Sequence, residues 1–326
     1  MGVDCRLAEP KVKSNMVNEW FCPLCEGQEF EQIFEKRANI KGVERRFVLA
    51  RCQKCSLLSL QPRPLPDEIL YFYPMDYEPF WLPIEEEPNL FLRWIHRRHF
   101  AIRCHVVESF FPNGGNLLDI GCGTGGFLAM LRRNNRWYGV GVDINEQAAS
   151  VARRQGLCVF CGDLNQMFLP AGFFDVATMW EVLEHVRDPL NILKTIHHLL
   201  KPKGILLLST PNANSWQARL WRESWKGWDT PRHLQIFSLQ TLRELLNRSG
   251  FTIVRRLAFP MERYYAIESC WQYLHFQQIN VDAVRNIMRQ VIELVGWIGW
   301  PLFHLANRMP FASSLVLAAQ KTTQDE

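Results

Sequence analysis

The sequence lacks a long apolar segment, a strong excess of one charge, and internal repeats. Its longest apolar run without a charge is 294–303, far short of the roughly 20 residues that a membrane-spanning helix needs. Charged residues interrupt the first 13 positions, so they do not resemble a signal peptide. A formal net charge of +4 is too small to favour nucleic acid as a partner. These absences predict a cytoplasmic protein.

Two segments qualify that prediction. Basic residues cluster on a predicted helix over 90–111, and we interpret them as a solvated face: Arg93, His96, Arg97, Arg98, His99 and Arg103. Residues 284–309 are amphipathic to apolar, which favours core packing or dimerisation over contact with a membrane surface. The second alternative predicts a peripheral position at the inner membrane face and a lipid-linked ligand. The sequence does not define an oligomeric state.

Disulfides are a poor explanation for the ten cysteines, because no secretory signal is evident. Four of them form two C-x-x-C pairs in a short segment: Cys22 with Cys25, and Cys52 with Cys55. Each pair can present two thiolates to one tetrahedral ion. The sequence therefore predicts a structural zinc site in a ribbon module over 17–75, with the metal supplying much of its folding energy. A third pair, Cys158 and Cys161, falls in a predicted strand and is interpreted as structural.

After a proline-rich and aromatic linker over 76–90, strands and helices alternate, which predicts a doubly wound, mostly parallel α/β sheet. The domain extends over 91–326 with an insertion at about 260–312. We expect strands at 116–120, 138–144, 157–161, 174–179, 205–209, 251–257 and 314–319. We expect helices at 90–111, 126–135, 146–155, 189–200 and 239–248.

A glycine turn follows the first of these strands: Leu117-Leu118-Asp119-Ile120-Gly121-Cys122-Gly123-Thr124-Gly125-Gly126. Glycines let a ligand approach the backbone closely, and the pattern also fits dinucleotide-binding turns. Asp119 discriminates between the two, because a carboxylate repels a pyrophosphate but attracts an ammonium group. Asp143 and Asp163 end the next two strands, where they can accept hydrogen bonds from ribose hydroxyls and from an adenine amino group.

The run Asp119–Gly125 resembles the first motif of class I S-adenosylmethionine-dependent methyltransferases. Phe174–Val176 with Glu181–His185 resembles the family's fourth-strand motif, and Leu200–Gly204 resembles its turn before strand five. The resemblance implies a seven-stranded Rossmann-like sheet and S-adenosylmethionine as cofactor. It places the methionine part against Asp119, Gly121 and Gly123, the ribose and adenine against Asp143, Ile144, Asp163 and Leu164, and the sulfonium end or substrate cleft beside Trp180. The N-terminal segment resembles the zinc-ribbon leader of some bacterial methyltransferases.

A second cluster contains Glu181, Glu184 and His185, which share one face if they lie on a helical turn. His233 lies downstream of the fifth strand and could join them. The spacing resembles that of metal-binding small-RNA 2′-O-methyltransferases and of ubiquinone-pathway O-methyltransferases, and implies magnesium or manganese. In the alternative, these residues stabilise the segment by hydrogen bonds and His185 or His233 is a general base. The candidate catalytic residues are Glu181, His185 and His233.

The reaction expected from the resemblance is O-methylation of a small, saccharide or lipid-linked acceptor. Three alternatives stay open: C-methylation of a sugar nucleotide, metal-dependent methylation of RNA, and a non-catalytic sensor or scaffold that binds the donor. Four tryptophans after the fifth strand indicate either an apolar acceptor or ordinary packing: Trp216, Trp221, Trp225 and Trp228.

Overall fold

The computed structural model describes residues 20–40, 43–65, 83–259, 261–276 and 300–322. Within these ranges the chain forms two sheets, one of seven strands and one of four. None of the helices in the described part of the chain combines the length and apolar character that crossing a membrane requires.

The seven-stranded sheet has the order β6-β5-β4-β7-β8-β11-β10. Only β11 runs against its neighbours β8 and β10, and the other pairs are parallel. The prediction of a doubly wound, mostly parallel seven-stranded sheet is confirmed. Its strands are β4 (Gly115–Ile120), β5 (Trp137–Asp143), β6 (Cys158–Cys161), β7 (Phe174–Trp180), β8 (Leu200–Pro211), β10 (Phe251–Leu257) and β11 (Ser314–Lys321).

The helices begin and end close to the predicted positions. Ser238, for example, starts its helix in a reciprocal cap with Thr241, which satisfies backbone donors that the first turn leaves unpaired. The helices are α1 (Leu90–Phe110), α2 (Gly126–Arg132), α3 (Glu146–Arg154), α4 (Pro189–Leu199), α5 (Trp216–Trp221), α6 (Leu239–Arg248), α7 (Glu262–Phe276) and α8 (Trp300–Ala306).

Strand β8 extends beyond the predicted 205–209 at both ends, because Leu200 pairs with Phe174 of β7 and β11 pairs with β8 from Ile205 to Pro211. On the opposite edge, β6 leaves the side chains of Cys158 and Cys161 exposed to solvent, so neither thiol belongs to the core. From the predicted insertion at 260–312, α7 and α8 are described. Residues 76–82 of the linker and 284–299 of the apolar segment lie outside the described residues.

The smaller sheet has the order β1-β2-β3-β9, all antiparallel. Its first three strands come from the cysteine-bearing segment: β1 (Phe30–Ile40), β2 (Val43–Cys52) and β3 (Leu58–Gln61). The fourth strand, β9 (Gln235–Ile236), comes from the part of the chain that forms the seven-stranded sheet. The N-terminal module thus shares a sheet with the larger domain, and we call residues 20–65 the ribbon.

Tryptophans fill the junction between the ribbon and the larger domain. Trp225 is fully buried and Trp228 nearly so, and the Trp228 ring lies edge-on to Phe34 of the ribbon at 5.6 Å. Trp225 also contacts the Tyr265 ring, at 5.8 Å between centroids. Of the two interpretations of these aromatic residues, the structure supports packing for Trp225 and Trp228.

Candidate active site

The glycine turn joins β4 to α2 and lines a deep cleft. Gly121 and Gly123 have φ values of 71° and 54°, which L-residues with a side chain rarely adopt. A Cβ at position 121 would lie 2.4 Å from the Val182 side chain, whereas a Cβ at position 123 would meet nothing within 4 Å. The backbone conformation therefore favours glycine at both positions, and Gly123 leaves open space for a ligand.

Asp119 lies at the carboxyl end of β4 with 2% of its surface exposed. One carboxylate oxygen accepts a hydrogen bond of 2.6 Å from the Thr178 hydroxyl on β7. Burial raises the pKa of Asp119 to about 7, although the Thr178 hydrogen bond and the Arg103 charge oppose the shift. A buried carboxylate without a full counter-charge is suited to a cationic ligand.

Arg103 on α1 places a positive charge at the cleft, although the sequence predicted that this residue lies on a solvated helix face. Its guanidinium carbon lies 5.3 Å from the centroid of the Trp180 ring, and its Nε atom is buried with no hydrogen-bond partner in the described ranges. Burial lowers its pKa to about 10, while Asp119 and Glu181 act in the opposite direction. The solvated-face interpretation is correct for Arg97 and Arg98, which are exposed, and wrong for Arg103.

A signal for Arg103 was present in the pattern of α1. The helix buries Phe100, Cys104 and Val107, and position 103 lies on the same stripe by helical spacing. A cation inside an apolar stripe usually needs a partner, and here the nearest anionic groups belong to the cleft.

The two other carboxylates of the predicted donor site line the same cleft. Asp143 at the end of β5 accepts hydrogen bonds from the backbone amides of Gly123, at 2.7 Å, and Asn145, at 2.8 Å. Burial raises its pKa. Asp163 is exposed and accepts from the amide of Asn165, at 2.9 Å. Ile144 is 66% exposed and Leu164 is buried. The Ile144 side chain is therefore accessible to a ligand in the cleft, whereas the Leu164 side chain is packed in the core.

Trp180 ends β7 and lines the cleft between the glycine turn and α1. Its ring stacks on Phe259 at 5.0 Å and meets Phe127 edge-on at 6.3 Å. These contacts bury all but 7% of the residue and leave its indole nitrogen without a partner among the described residues.

Glu184, His185 and His233 form a compact group on the other side of the cleft. One ligand atom from each lies within 4.8 Å of the other two. The Nδ1 atoms of His185 and His233 lie 3.1 Å and 2.8 Å from the carbonyl oxygens of Arg232 and Gly227. Each imidazole can donate from Nδ1, which leaves Nε2 as an acceptor or ligand.

The Glu184 side chain is fully buried, and neither carboxylate oxygen has a hydrogen-bond partner in the described part of the chain. Burial, and then the charge of Glu181, raise the pKa of Glu184 well above the usual range. The nearby Thr210 hydroxyl acts to lower this pKa, although it makes no hydrogen bond of normal geometry to Glu184. Burial and the adjacent His233 lower the pKa of His185 to about 3. Burial also lowers the pKa of His233, while Asp229 opposes it. A carboxyl group without donors beside two neutral imidazoles fits a divalent cation.

Glu181 does not join this group. Its φ is 57°, and its carboxylate accepts hydrogen bonds from the Tyr265 hydroxyl at 2.8 Å and from the Ser314 hydroxyl at 3.1 Å. The 3₁₀ turn that contains Glu184 and His185 begins only at Leu183. Sequence reasoning had no signal for Tyr265 or Ser314, which come from α7 and β11.

Asp229 lies beside His233 and forms ion pairs with Lys226 and Arg232. Its carboxylate accepts from Arg232 at 2.9 Å and from Lys226 at 3.2 Å, and one oxygen lies 3.9 Å from Nε2 of His233. Although burial acts in the other direction, His233, Lys226 and Arg232 hold the pKa of Asp229 below its usual value. Asp229 is therefore already compensated and acts on His233 at a distance.

The four ribbon cysteines converge on one point. Their sulfur atoms lie within 4.8 Å of one another, with Cys22 to Cys55 at 3.4 Å and Cys25 to Cys52 at 3.5 Å. Tetrahedral zinc with bonds of about 2.3 Å places sulfur atoms about 3.8 Å apart. The hydrogen bond between Cys22 and Cys55 lowers the pKa of Cys22 and raises that of Cys55.

Donor-side and histidine-side residues share one cleft of about 1480 Å³. That volume exceeds the roughly 300–1,000 Å³ of a typical single-ligand pocket, so two molecules can occupy it together. The ribbon contributes part of the wall through Phe21, Pro23 and Arg63.

Proteins of known families are similar to this chain in sequence and in structure. A family model described as a methyltransferase domain matches residues 91–256, just over half of the chain. A ubiquinone biosynthesis O-methyltransferase from Coxiella burnetii is 36% identical over 116 residues, which are 34% of this chain and 49% of that protein. A protein of the same name from Pseudomonas aeruginosa is 37% identical over 108 residues, which are 31% of this chain and 46% of that protein.

The chain thus spans about half the length of these curated relatives. Among solved structures, an S-adenosylmethionine-dependent methyltransferase from Thermotoga maritima is 27% identical, with 54% of this chain and 84% of that chain covered and a TM-score of 0.42.

Proposed function

The chain belongs to the methyltransferase domain family, and from that membership we propose that it transfers the methyl group of S-adenosylmethionine to a hydroxyl oxygen of a small, saccharide or lipid-linked acceptor. The observation that carries the donor assignment is the buried Asp119 carboxylate beside the glycine turn, with the charge of Arg103 acting on it from α1. A methionine moiety has an ammonium group and a carboxylate, which these two side chains complement. Oxygen as the methylated atom is taken from the name of the relatives.

On the donor side, each group has one task. Asp119 holds the ammonium group, Arg103 holds the carboxylate, and Asp143 is left with acceptor capacity for ribose hydroxyls. Ile144 offers an exposed apolar surface to the adenine ring. Transfer then requires the acceptor oxygen in line behind the methyl group, and such positioning can contribute about 7–11 kcal/mol to the lowering of the barrier.

The donor assignment is tested by calorimetric titration of the protein with S-adenosylmethionine and, in parallel, with a nicotinamide dinucleotide. We expect binding of the first and none of the second. Uptake of the dinucleotide instead would refute the proposal.

On the acceptor side, we propose that Glu184, His185 and His233 hold a magnesium or manganese ion. When bound, such an ion lowers the pKa of a coordinated hydroxyl. The fit rests on the Glu184 carboxylate, which has no hydrogen-bond partner among the described residues, and on the convergence of one ligand atom from each of the three side chains. For His185 the general-base alternative is less favoured, because burial lowers the pKa of its imidazole to about 3 and so makes it a weak base at neutral pH.

The cation site is tested by manganese binding, followed through the loss of the free-ion signal in electron paramagnetic resonance. We expect one ion per wild-type chain and none in Glu184→Gln; the exposed Glu223→Gln is the matched control. Transfer of label from methyl-labelled donor to a cell extract should stop on chelation and return with manganese. Equal manganese uptake by Glu184→Gln would contradict the site.

In the ribbon, we propose that Cys22, Cys25, Cys52 and Cys55 hold a structural zinc ion. The convergence of four sulfur atoms supports this proposal. Because the ribbon forms part of the cleft wall, its metal supports the acceptor side as well as the fold of the module.

A further inference from the structure

Gln235 connects the ribbon to the turn that carries Glu184 and His185. The residue is fully buried on β9. Its side-chain amide donates two hydrogen bonds, one to the carbonyl of Leu183 at 2.9 Å and one to the carbonyl of Val186 at 2.6 Å. These carbonyls lie on either side of Glu184 and His185, so one side chain holds both ends of the turn.

Arg63 of the ribbon binds the oxygen atom of the same Gln235 side-chain amide. Its Nη2 donates to Oε1 of Gln235 at 2.6 Å, and its Nη1 donates to the carbonyl of Arg187 at 2.7 Å. Arg187 in turn donates to the carbonyl of Pro64 at 2.5 Å. Every polar atom of the Gln235 side chain is used, and its orientation is fixed by a residue 172 positions away.

Backbone hydrogen bonds also connect the ribbon to the turn that carries Glu184 and His185. β3 pairs with β9, with Ser59 opposite Gln235. The amide of Leu60 donates to the carbonyl of Leu234, and the amide of Leu234 donates to the carbonyl of Glu184 at 2.8 Å. The ribbon sheet is therefore hydrogen-bonded through one strand to the turn itself.

The turn has little support of its own. It is a single 3₁₀ turn, closed by amides of His185 and Val186 at 3.0 Å and 3.3 Å from their acceptors, and such turns have poor hydrogen-bond geometry. The donor-side carboxylates, by contrast, end the core strands β4 and β5.

We propose that Gln235 and Arg63 are positioning residues that order Glu184 and His185 only when the ribbon is docked, while donor binding does not depend on them. The proposal rests on the proposed function, in which Glu184 and His185 face the acceptor. It makes the ribbon a requirement for acceptor chemistry rather than a separate module.

The test is hydrogen exchange by mass spectrometry on the full chain, compared between peptides that cover 181–188 and 117–125. Gln235→Leu keeps the side-chain volume and removes both donors. Gln217→Leu is the matched control, because Gln217 is also fully buried and donates both amide hydrogens, in its case to Glu262. Arg63→Met and Arg63→Lys test the ribbon end.

We expect exchange in 181–188 to become about tenfold faster in Gln235→Leu and Arg63→Met, because two hydrogen bonds are lost or misdirected. Exchange in 117–125 and the affinity for S-adenosylmethionine should remain as in the wild type. Arg63→Lys, which keeps a donor for Gln235, should restore part of the protection. Wild-type exchange in 181–188 for Gln235→Leu, or equal acceleration there in Gln217→Leu, would overturn the proposal.

The two hypotheses fail separately. If the wild type does not bind S-adenosylmethionine, the proposed function is wrong, and the exchange data still report on the turn. If the wild type binds the donor and hydrogen exchange in 181–188 is unchanged in Gln235→Leu, the positioning role is wrong and the proposed function stands.

Discussion

Asp119→Asn should make the unliganded protein more stable and the donor complex weaker. Asn has nearly the same shape as Asp, and its carbonyl oxygen can still accept the hydrogen bond from Thr178. The substitution removes the charge that burial disfavours and, with it, the smaller attraction to Arg103, which the raised pKa of Asp119 already includes. A residue retained at a cost in stability is typical of a binding site.

The magnitude follows from the pKa of Asp119, which burial raises from 3.8 to about 7. The folded state keeps the proton over this range while the unfolded state releases it, so stability falls as pH rises from about 4 to about 7. At about 1.4 kcal/mol per pH unit, the loss is about 4 kcal/mol. In Asp119→Asn this contribution is absent, and the variant should exceed the wild type most at pH 8.

The assay is urea denaturation of the donor-free protein between pH 4.5 and 8.5, with the exposed helix cap Asp188→Asn as control, since Asn caps helices as well as Asp does. Calorimetry at pH 7.5 should show donor affinity reduced about ten- to one-hundred-fold in Asp119→Asn, as for a lost hydrogen bond to a charged group. Identical pH dependence of stability in wild type and Asp119→Asn would refute the argument.

Three further changes should have distinct effects. Arg103→Met should weaken donor binding at least tenfold by calorimetry, whereas Arg97→Met on the same helix should not; equal affinities would remove Arg103 from the site. Cys25→Ser should reduce the zinc content, measured by elemental analysis, from one ion per chain towards zero, and full retention would exclude the four-cysteine site. Trp225→Ala should lower the free energy of unfolding by about 3–5 kcal/mol in urea titrations, and a loss below about 1 kcal/mol would contradict its packing role.

The amino-acid sequence determined the features that depend on short stretches of chain. The alternation of apolar runs placed β10 at Phe251–Leu257 and α6 at Leu239–Arg248 as found, because strand and helix periodicities are local properties. The glycine turn and the two C-x-x-C pairs were equally readable. In each, the chemistry lies in residues only a few positions apart.

Only the tertiary structure decided which distant side chains meet. It brought the charge of Arg103 within range of Asp119, joined Glu181 to Tyr265 and Ser314 by hydrogen bonds, and added β9 to the ribbon sheet. The Arg63–Gln235 contact joins residues 172 positions apart, and no periodicity extends that far. Such pairs are fixed by the path of the chain and by the need of buried polar groups for partners, which a single sequence does not display.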